Sequence, residues 1–123
     1  MSIRENVQKL IALAEQGKFL EAIQEFYAED ATMQENNAPP RVGLPALLEN
    51  ERRVLAATKE IKTRVDSFVV DGNRAAINWV FEMTSLDGQK RNLNEVAYQL
   101  WQDGKIIREK FFYDPAQMAP QAN

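Results

Sequence analysis

The chain contains no cysteine and no histidine. Without thiols there is no disulfide, no thiolate nucleophile and no Cys-ligated zinc. Without imidazole, every histidine-based triad or zinc centre is excluded too. Any proton chemistry therefore falls to carboxylates, tyrosine or lysine. No Asp-x-Asp loop offers hard-cation ligands, and the mixed ligand sets of transition metals are missing, so neither a metal nor another cofactor is expected. No apolar run approaches the ~20 residues needed to span a bilayer. The opening Met1-Ser2-Ile3-Arg4-Glu5 leads into a helical pattern rather than a signal-peptide core, so no membrane association and a cytoplasmic address are the expectations. No lysine or arginine run forms a stripe able to follow phosphates, and 18 acids against 15 bases leave a formal charge of −3. Nucleic acid is therefore not an expected partner.

What is present fits one globular domain over residues 1–123, with 45% hydrophobic and 27% charged residues and no linker or internal repeat. Ser2 and Glu5 form a capping-box pattern, and Val7, Leu10, Ile11 and Ala14 repeat at helical spacing until Gly17. Phe19, Ala22, Ile23 and Phe26 give a second helix, joined to the first through Gly17-Lys18. Ala31–Glu35 reads as a strand and Asn36–Pro40 as a loop. A third helix starts near Leu44-Pro45, runs through Leu47, Leu48 and Leu55, and ends near Thr58, with Glu51 on its apolar stripe. Beyond Glu60 the texture becomes β-rich, punctuated by Asp71-Gly72, Asp87-Gly88 and Asp103-Gly104, which predicts a four-stranded antiparallel meander. The tail from Pro115 is rich in Gln, Ala and Pro and is expected to fray.

Both faces of the meander read as largely apolar. One carries Ile77, Trp79, Phe81 and Met83 with Val96, Tyr98 and Leu100. The other carries Asn78, Val80 and Glu82 with Leu93, Glu95, Ala97, Gln99 and Trp101, apolar walls mixed with isolated polar groups as in a ligand pocket. Three helices cover one face only, so the opposite, aromatic face predicts a homodimer.

Two blocks carry a resemblance. Gly17-Lys18-Phe19-Leu20-Glu21-Ala22 leads to Phe26-Tyr27-Ala28-Glu29-Asp30-Ala31-Thr32, and Trp101-Gln102-Asp103-Gly104-Lys105-Ile106 leads to Phe111-Phe112-Tyr113-Asp114-Pro115. In both, the chain resembles the nuclear transport factor 2-like superfamily, in its SnoaL-like and ketosteroid-isomerase-like branches. The resemblance implies an α+β fold: a cone-like curved antiparallel sheet wrapped by three N-terminal helices around a pocket, with dimerisation through the convex face. It places Asn78, Val80, Glu82, Leu93, Glu95, Ala97, Gln99, Trp101, Glu109, Phe111 and Tyr113 toward the pocket, where they are the expected contacts of a small-molecule ligand. It turns Trp79, Phe81, Tyr98 and Phe112 outward to the dimer.

Carried over by position, the base carboxylate of the ketosteroid isomerases falls on Glu35. Their oxyanion-hole tyrosine falls on Leu10 and their protonated aspartate on Ala97, so neither donor to a developing enolate is present. The limonene-epoxide-hydrolase triad is absent too: its final-strand aspartate falls on Phe111 and its Arg/Asp pair near Asn78 and Val80. The chemistry left is that of acids. Glu35, Glu51, Glu82, Glu95 and Glu109 all fall on faces that suit one cavity, where like charges do not all ionise cheaply. Raised pKa values, pairing with a base such as Arg41, Arg53 or Lys110, or a cationic ligand would each relieve them. Glu35 and Glu95 are the candidate catalytic residues. The function expected is carboxylate acid/base isomerisation, cyclisation or dehydration of a small, mostly apolar substrate. The alternative is a non-catalytic, dimeric ligand- or partner-binding module.

Overall fold

The computed structural model describes residues 1–119. Three helices lead the chain: α1 (Ile3–Glu15), α2 (Phe19–Phe26) and, after the strands β1 (Tyr27–Glu35) and β2 (Arg41–Val42), α3 (Leu44–Ala56). Four longer strands follow: β3 (Thr58–Asp71), β4 (Arg74–Ser85), β5 (Lys90–Gln102) and β6 (Lys105–Phe112). The capping box is formed as read: Ser2 Oγ accepts from the Glu5 amide at 3.1 Å and the Glu5 carboxylate accepts from the Ser2 amide. Pro45 occupies the first turn of α3, where its missing N–H costs nothing.

The sheet has six strands in the order β2-β1-β6-β5-β4-β3. The predicted meander is present over β3 to β6, all antiparallel. The sheet as a whole is mixed rather than purely antiparallel, because β1 returns beside β6 in parallel. The long connection that a parallel pair needs runs from β1 through β2, α3 and strands β3 to β5. Register breaks at Val65/Ser67 in β3 and Leu100/Trp101 in β5 bend the sheet around the helices. Val7, Leu10, Ala22, Phe26 and Leu47 from the helices pack on Ile77, Trp79, Ala97, Trp101 and Ile106 from the sheet in one buried core.

The outward orientation expected of Trp79 and Phe81 is corrected, and the cause lies in one turn. A two-residue turn at Asp87-Gly88 would set Trp79 opposite Val96. Instead Gly88 donates back to the Ser85 carbonyl and the Ser85 amide bonds the Gln89 carbonyl, both at 2.9 Å, with Gly88 at φ +86°. This is a turn followed by a glycine bulge, one residue longer than the simple hairpin. Trp79 is thereby set opposite Glu95, and Phe81 opposite Leu93. Because side chains alternate with a period of two, that single residue exchanges the faces of β4 relative to β5. Trp79 and Phe81 belong to the concave face under the helices, and Asn78, Val80 and Glu82 to the convex one.

The tail is also more ordered than expected. Pro115–Met118 forms a 3-10 turn capped by Asp114. Gln117 bonds the Asn94 backbone at 2.9 and 3.1 Å, and the Arg91 guanidinium donates to the Met118 carbonyl. Residues 120–123 lie outside the described residues.

Candidate functional site

Between the helices and the concave face lies a cavity of about 220 Å³. Leu10, Ala14 and Ile23 of α1 and α2 wall one side, and Trp79, Phe81, Leu93 and Phe111 of the sheet wall the other. Its polar pole is made by four carboxylates from four elements: Glu35 at the end of β1, Glu51 in α3, Glu95 in β5 and Glu109 in β6. Strand and helix periodicity explains why each points inward. Glu95 alternates with buried Leu93 and Ala97, Glu109 with buried Ile106 across a bulge, and Glu51 lies one helical turn beyond buried Leu47 and Leu48.

The four are provided for differently. Glu35 is neutralised at the rim: the Arg41 guanidinium donates to Oε2 at 2.9 Å and the Tyr113 hydroxyl to Oε1 at 3.0 Å. The loop holds this group in place, since Asn36 bonds the Phe111 carbonyl through its amide (2.8 Å) and the Tyr113 amide through its side chain (3.0 Å). Glu109, 2% exposed, receives the Tyr27 hydroxyl on Oε1 and Gln99 Nε2 on Oε2 at 2.7 Å. The direction of that relay is fixed, because Trp101 Nε1 has only a proton to give, and gives it to Gln99 Oε1 at 3.0 Å. Gln99 must then turn its amide nitrogen toward Glu109. Glu95 is 8% exposed, and among the described residues no hydrogen bond reaches its carboxyl.

The proton affinities follow from these surroundings. Burial first, then the nearby Glu109, Glu35 and Glu51, push Glu95 up to about 8. Burial raises Glu109 to about 7, against the opposing pull of the Tyr27 and Gln99 hydrogen bonds. Burial raises Glu51, and burial and then the Glu109 charge hold the Tyr27 hydroxyl well above its ordinary range. Tyr113 is pushed to about 12 by burial and then by the Glu35 charge. Near neutral pH Glu95 thus holds its proton more firmly than Glu109, whose carboxylate form the Tyr27 and Gln99 hydrogen bonds favour.

Of the residues singled out in the sequence, Glu35, Leu93, Glu95, Gln99, Glu109 and Phe111 line the cavity. Tyr113 reaches it through its bond to Glu35, and Trp101 through Gln99, from within the core. Asn78, Val80 and Glu82 do not line it. Asn78 instead bonds Asn94 Oδ1 at 2.6 Å and the Glu95 carbonyl at 3.1 Å, and Glu82 is exposed opposite Lys62 and Asn92. The register explained above accounts for all three. Missed were Trp79 and Phe81, stacked at 5.8 Å along the wall, and Tyr27, which the helix-to-strand junction aims at Glu109. A phenol directly after the helical stripe of Phe26 was the available signal for Tyr27. Among the described residues no group of acids is placed to hold a metal ion, and no helix is long and apolar enough to cross a membrane.

Similarity to known proteins agrees with this architecture. The fold is similar to that of an NTF2-like protein of unknown function from Burkholderia pseudomallei, with a TM-score of 0.83, 17% identity, and 96% of this chain and 95% of that one covered. It is similar to a SnoaL-like polyketide cyclase candidate from Mesorhizobium loti, with a TM-score of 0.78, 23% identity, and coverage of 92% and 100%. It also resembles TerC crystallised with polyporic acid, with a TM-score of 0.77, 19% identity, and 91% of each chain covered. Comparison with curated proteins finds no match. The SnoaL-like domain model matches residues 7–109, from buried Val7 of α1 to the carboxylate on β6, and the chain belongs to that family.

Proposed function

We propose that the chain performs acid–base chemistry, an isomerisation, cyclisation or dehydration, on a small and mostly apolar molecule held in this cavity. The observation that carries the reading is the pairing of two glutamates in one apolar space. Glu109 has a donor on each oxygen, whereas Glu95 has none. In this reading Glu95 is the acid, giving its proton to a basic atom of the substrate. Glu109 is the base, its carboxylate form favoured and oriented by Tyr27 and by the Trp101–Gln99 relay against the opposing effect of burial. Glu35, with both oxygens engaged by Arg41 and Tyr113, closes the rim rather than moving a proton. The polyketide cyclase candidate and the TerC complex with polyporic acid support a small organic molecule as the occupant. Carboxyl-detected NMR titration tests the reading. Glu95 is expected to titrate near 8 and to move when the cavity is filled, and a value near the ordinary 4.5 would overturn it.

A second reading, a non-catalytic ligand-binding module, is supported by buried, apolar Leu10 and Ala97, which stand where the isomerases' oxyanion donors fall. Turnover of any molecule found bound separates the two. In either case we propose a homodimer through the convex face. Its composition is revised to the exposed Tyr98 and Phe112 with Val69 and Val96, in place of Trp79 and Phe81. Phe112→Lys together with Tyr98→Lys is expected to leave a monomer by sedimentation equilibrium. A native chain already monomeric would overturn the dimer.

A further inference from the structure

The cavity is short of positive charge. The charged or titratable groups facing Glu95 are Glu35 and Arg41 from β1 and β2, Glu51 from α3, Tyr27 from β1 and Glu109 from β6, with Tyr113 behind Glu35. Arg41 is the single cation among the described lining residues, and it is used by Glu35. Glu51, Glu95 and Glu109 are left with no countercharge. A monocation paired with the Glu95 carboxylate would place beside these acids the positive charge that the lining does not supply, which a neutral hydrogen-bond acceptor cannot do.

Two independent features support that occupant. Glu95, more than nine-tenths buried and lining the cavity, has no hydrogen-bond partner among the described residues. The adjoining wall is the stacked pair Trp79 and Phe81 with the thioethers of Met33 and Met83, which are the electron-rich, polarisable surfaces that suit a cation. We propose that the molecule bound here carries a basic amine on an apolar skeleton, and that its nitrogen sits as an ammonium against Glu95. The proposal rests on the acid–base reading above and names its substrate class. The step balances simply. The O–H bond of the Glu95 carboxylic acid breaks, an N–H bond forms on the free amine, and an ammonium–carboxylate pair remains. From solution, where the amine is already protonated, the same complex forms with release of one proton.

Two probes on one ring system test it: 2-aminotetralin, the cation, and 2-tetralone, a neutral acceptor, titrated calorimetrically into the full chain at pH 7 in phosphate and in Tris. The amine is expected to bind at least about tenfold tighter than the ketone. Its apparent enthalpies in the two buffers should differ by about the release of one proton. Glu95→Gln, which imitates the neutral acid and is expected to fold, should lose at least about tenfold for the amine and keep its affinity for the ketone. A ketone that binds as well as the amine, with no proton released, would overturn the cationic substrate while the acid–base reading stands. If neither ring binds, or if Glu95→Gln binds both as the parent does, both readings fall.

Discussion

Along β4, Ile77, Trp79 and Phe81 alternate with Asn78, Val80 and Glu82, yet the two sets meet different surroundings. The first set is buried or half-buried under the helices, and Trp79 and Phe81 wall a cavity. The second faces outward, where Asn78 spends its amide on Asn94 and Glu82 is exposed. Neither set announces its side by hydrophobicity: Val80 would suit a cavity and Trp79 a dimer interface. What distinguishes them is register, set by Gly88 some distance along the chain. A residue's face is thus a property of the turn as much as of the residue, and each experiment below contrasts the two faces.

The largest contrast is in packing. Trp79 is 6% exposed and touches the core, so Trp79→Ala is expected to cost about 3–5 kcal/mol in urea unfolding. Tyr98, 41% exposed on the convex face, is expected to cost less than about 1 kcal/mol on the same substitution, measured in a monomer. Equal costs would mean that the helices do not select the face described.

The next contrast is in charge. Burial holds Glu95 near 8 against an ordinary 4.5, so between those values the folded chain keeps a proton that the unfolded chain has lost. The contribution of this group is therefore fully present below about pH 4.5, is lost as pH rises through about 8, and is flat above. Glu109, held near 7, adds a slope of the same sign. Burial raises Glu51 in the same sense, and Glu95→Gln removes one of these titrations. It is expected to flatten the fall in stability between pH 5 and 8 and to exceed the parent at pH 8 by on the order of 2–4 kcal/mol. Stability that rises over that interval in the parent would contradict the buried, unpartnered carboxyl.

A smaller effect isolates the turn itself. A Cβ on Gly88 would meet nothing within 4 Å, so Gly88→Ala is charged only with the left-handed backbone at φ +86°. About 1–2 kcal/mol is expected. The register should survive, because Trp79 keeps its packing in the core under the helices. Deleting Leu86 and keeping Gly88 would leave a two-residue Asp-Gly turn with Ser85 still opposite Gln89, so Trp79 should stay in the cavity and unfolding should stay cooperative.

The fold was legible in the sequence because its signals are local. The Ser2–Glu5 cap, the stripes of α1 to α3 and the Asp-Gly turns each act within a few residues, and all reappear in the structure. Glu35, Glu95, Gln99 and Glu109 were legible as cavity residues because their strands alternate cleanly. What was not legible depended on distance. The parallel pairing of β1 with β6 joins segments far apart in the chain. The difference between a two-residue turn and a turn with a glycine bulge is a matter of φ at one residue, and Asp-Gly serves both. That ambiguity alone misplaced Trp79, Phe81, Asn78, Val80 and Glu82.

Asn78 gives the finest contrast, because it neighbours Trp79 in the chain and lies on the other side of the sheet. Its side chain bonds Asn94 Oδ1 and the Glu95 carbonyl, an exposed link between strands. Asn78→Ala is therefore expected to cost only about 0.5–1 kcal/mol. It should leave the slope of stability between pH 5 and 8 unchanged, since its amide touches the backbone of Glu95 and not its carboxyl. If instead the substitution moves that slope, Asn78 lies within reach of the acid pair. The register that puts Trp79 in the cavity would then be wrong by one residue.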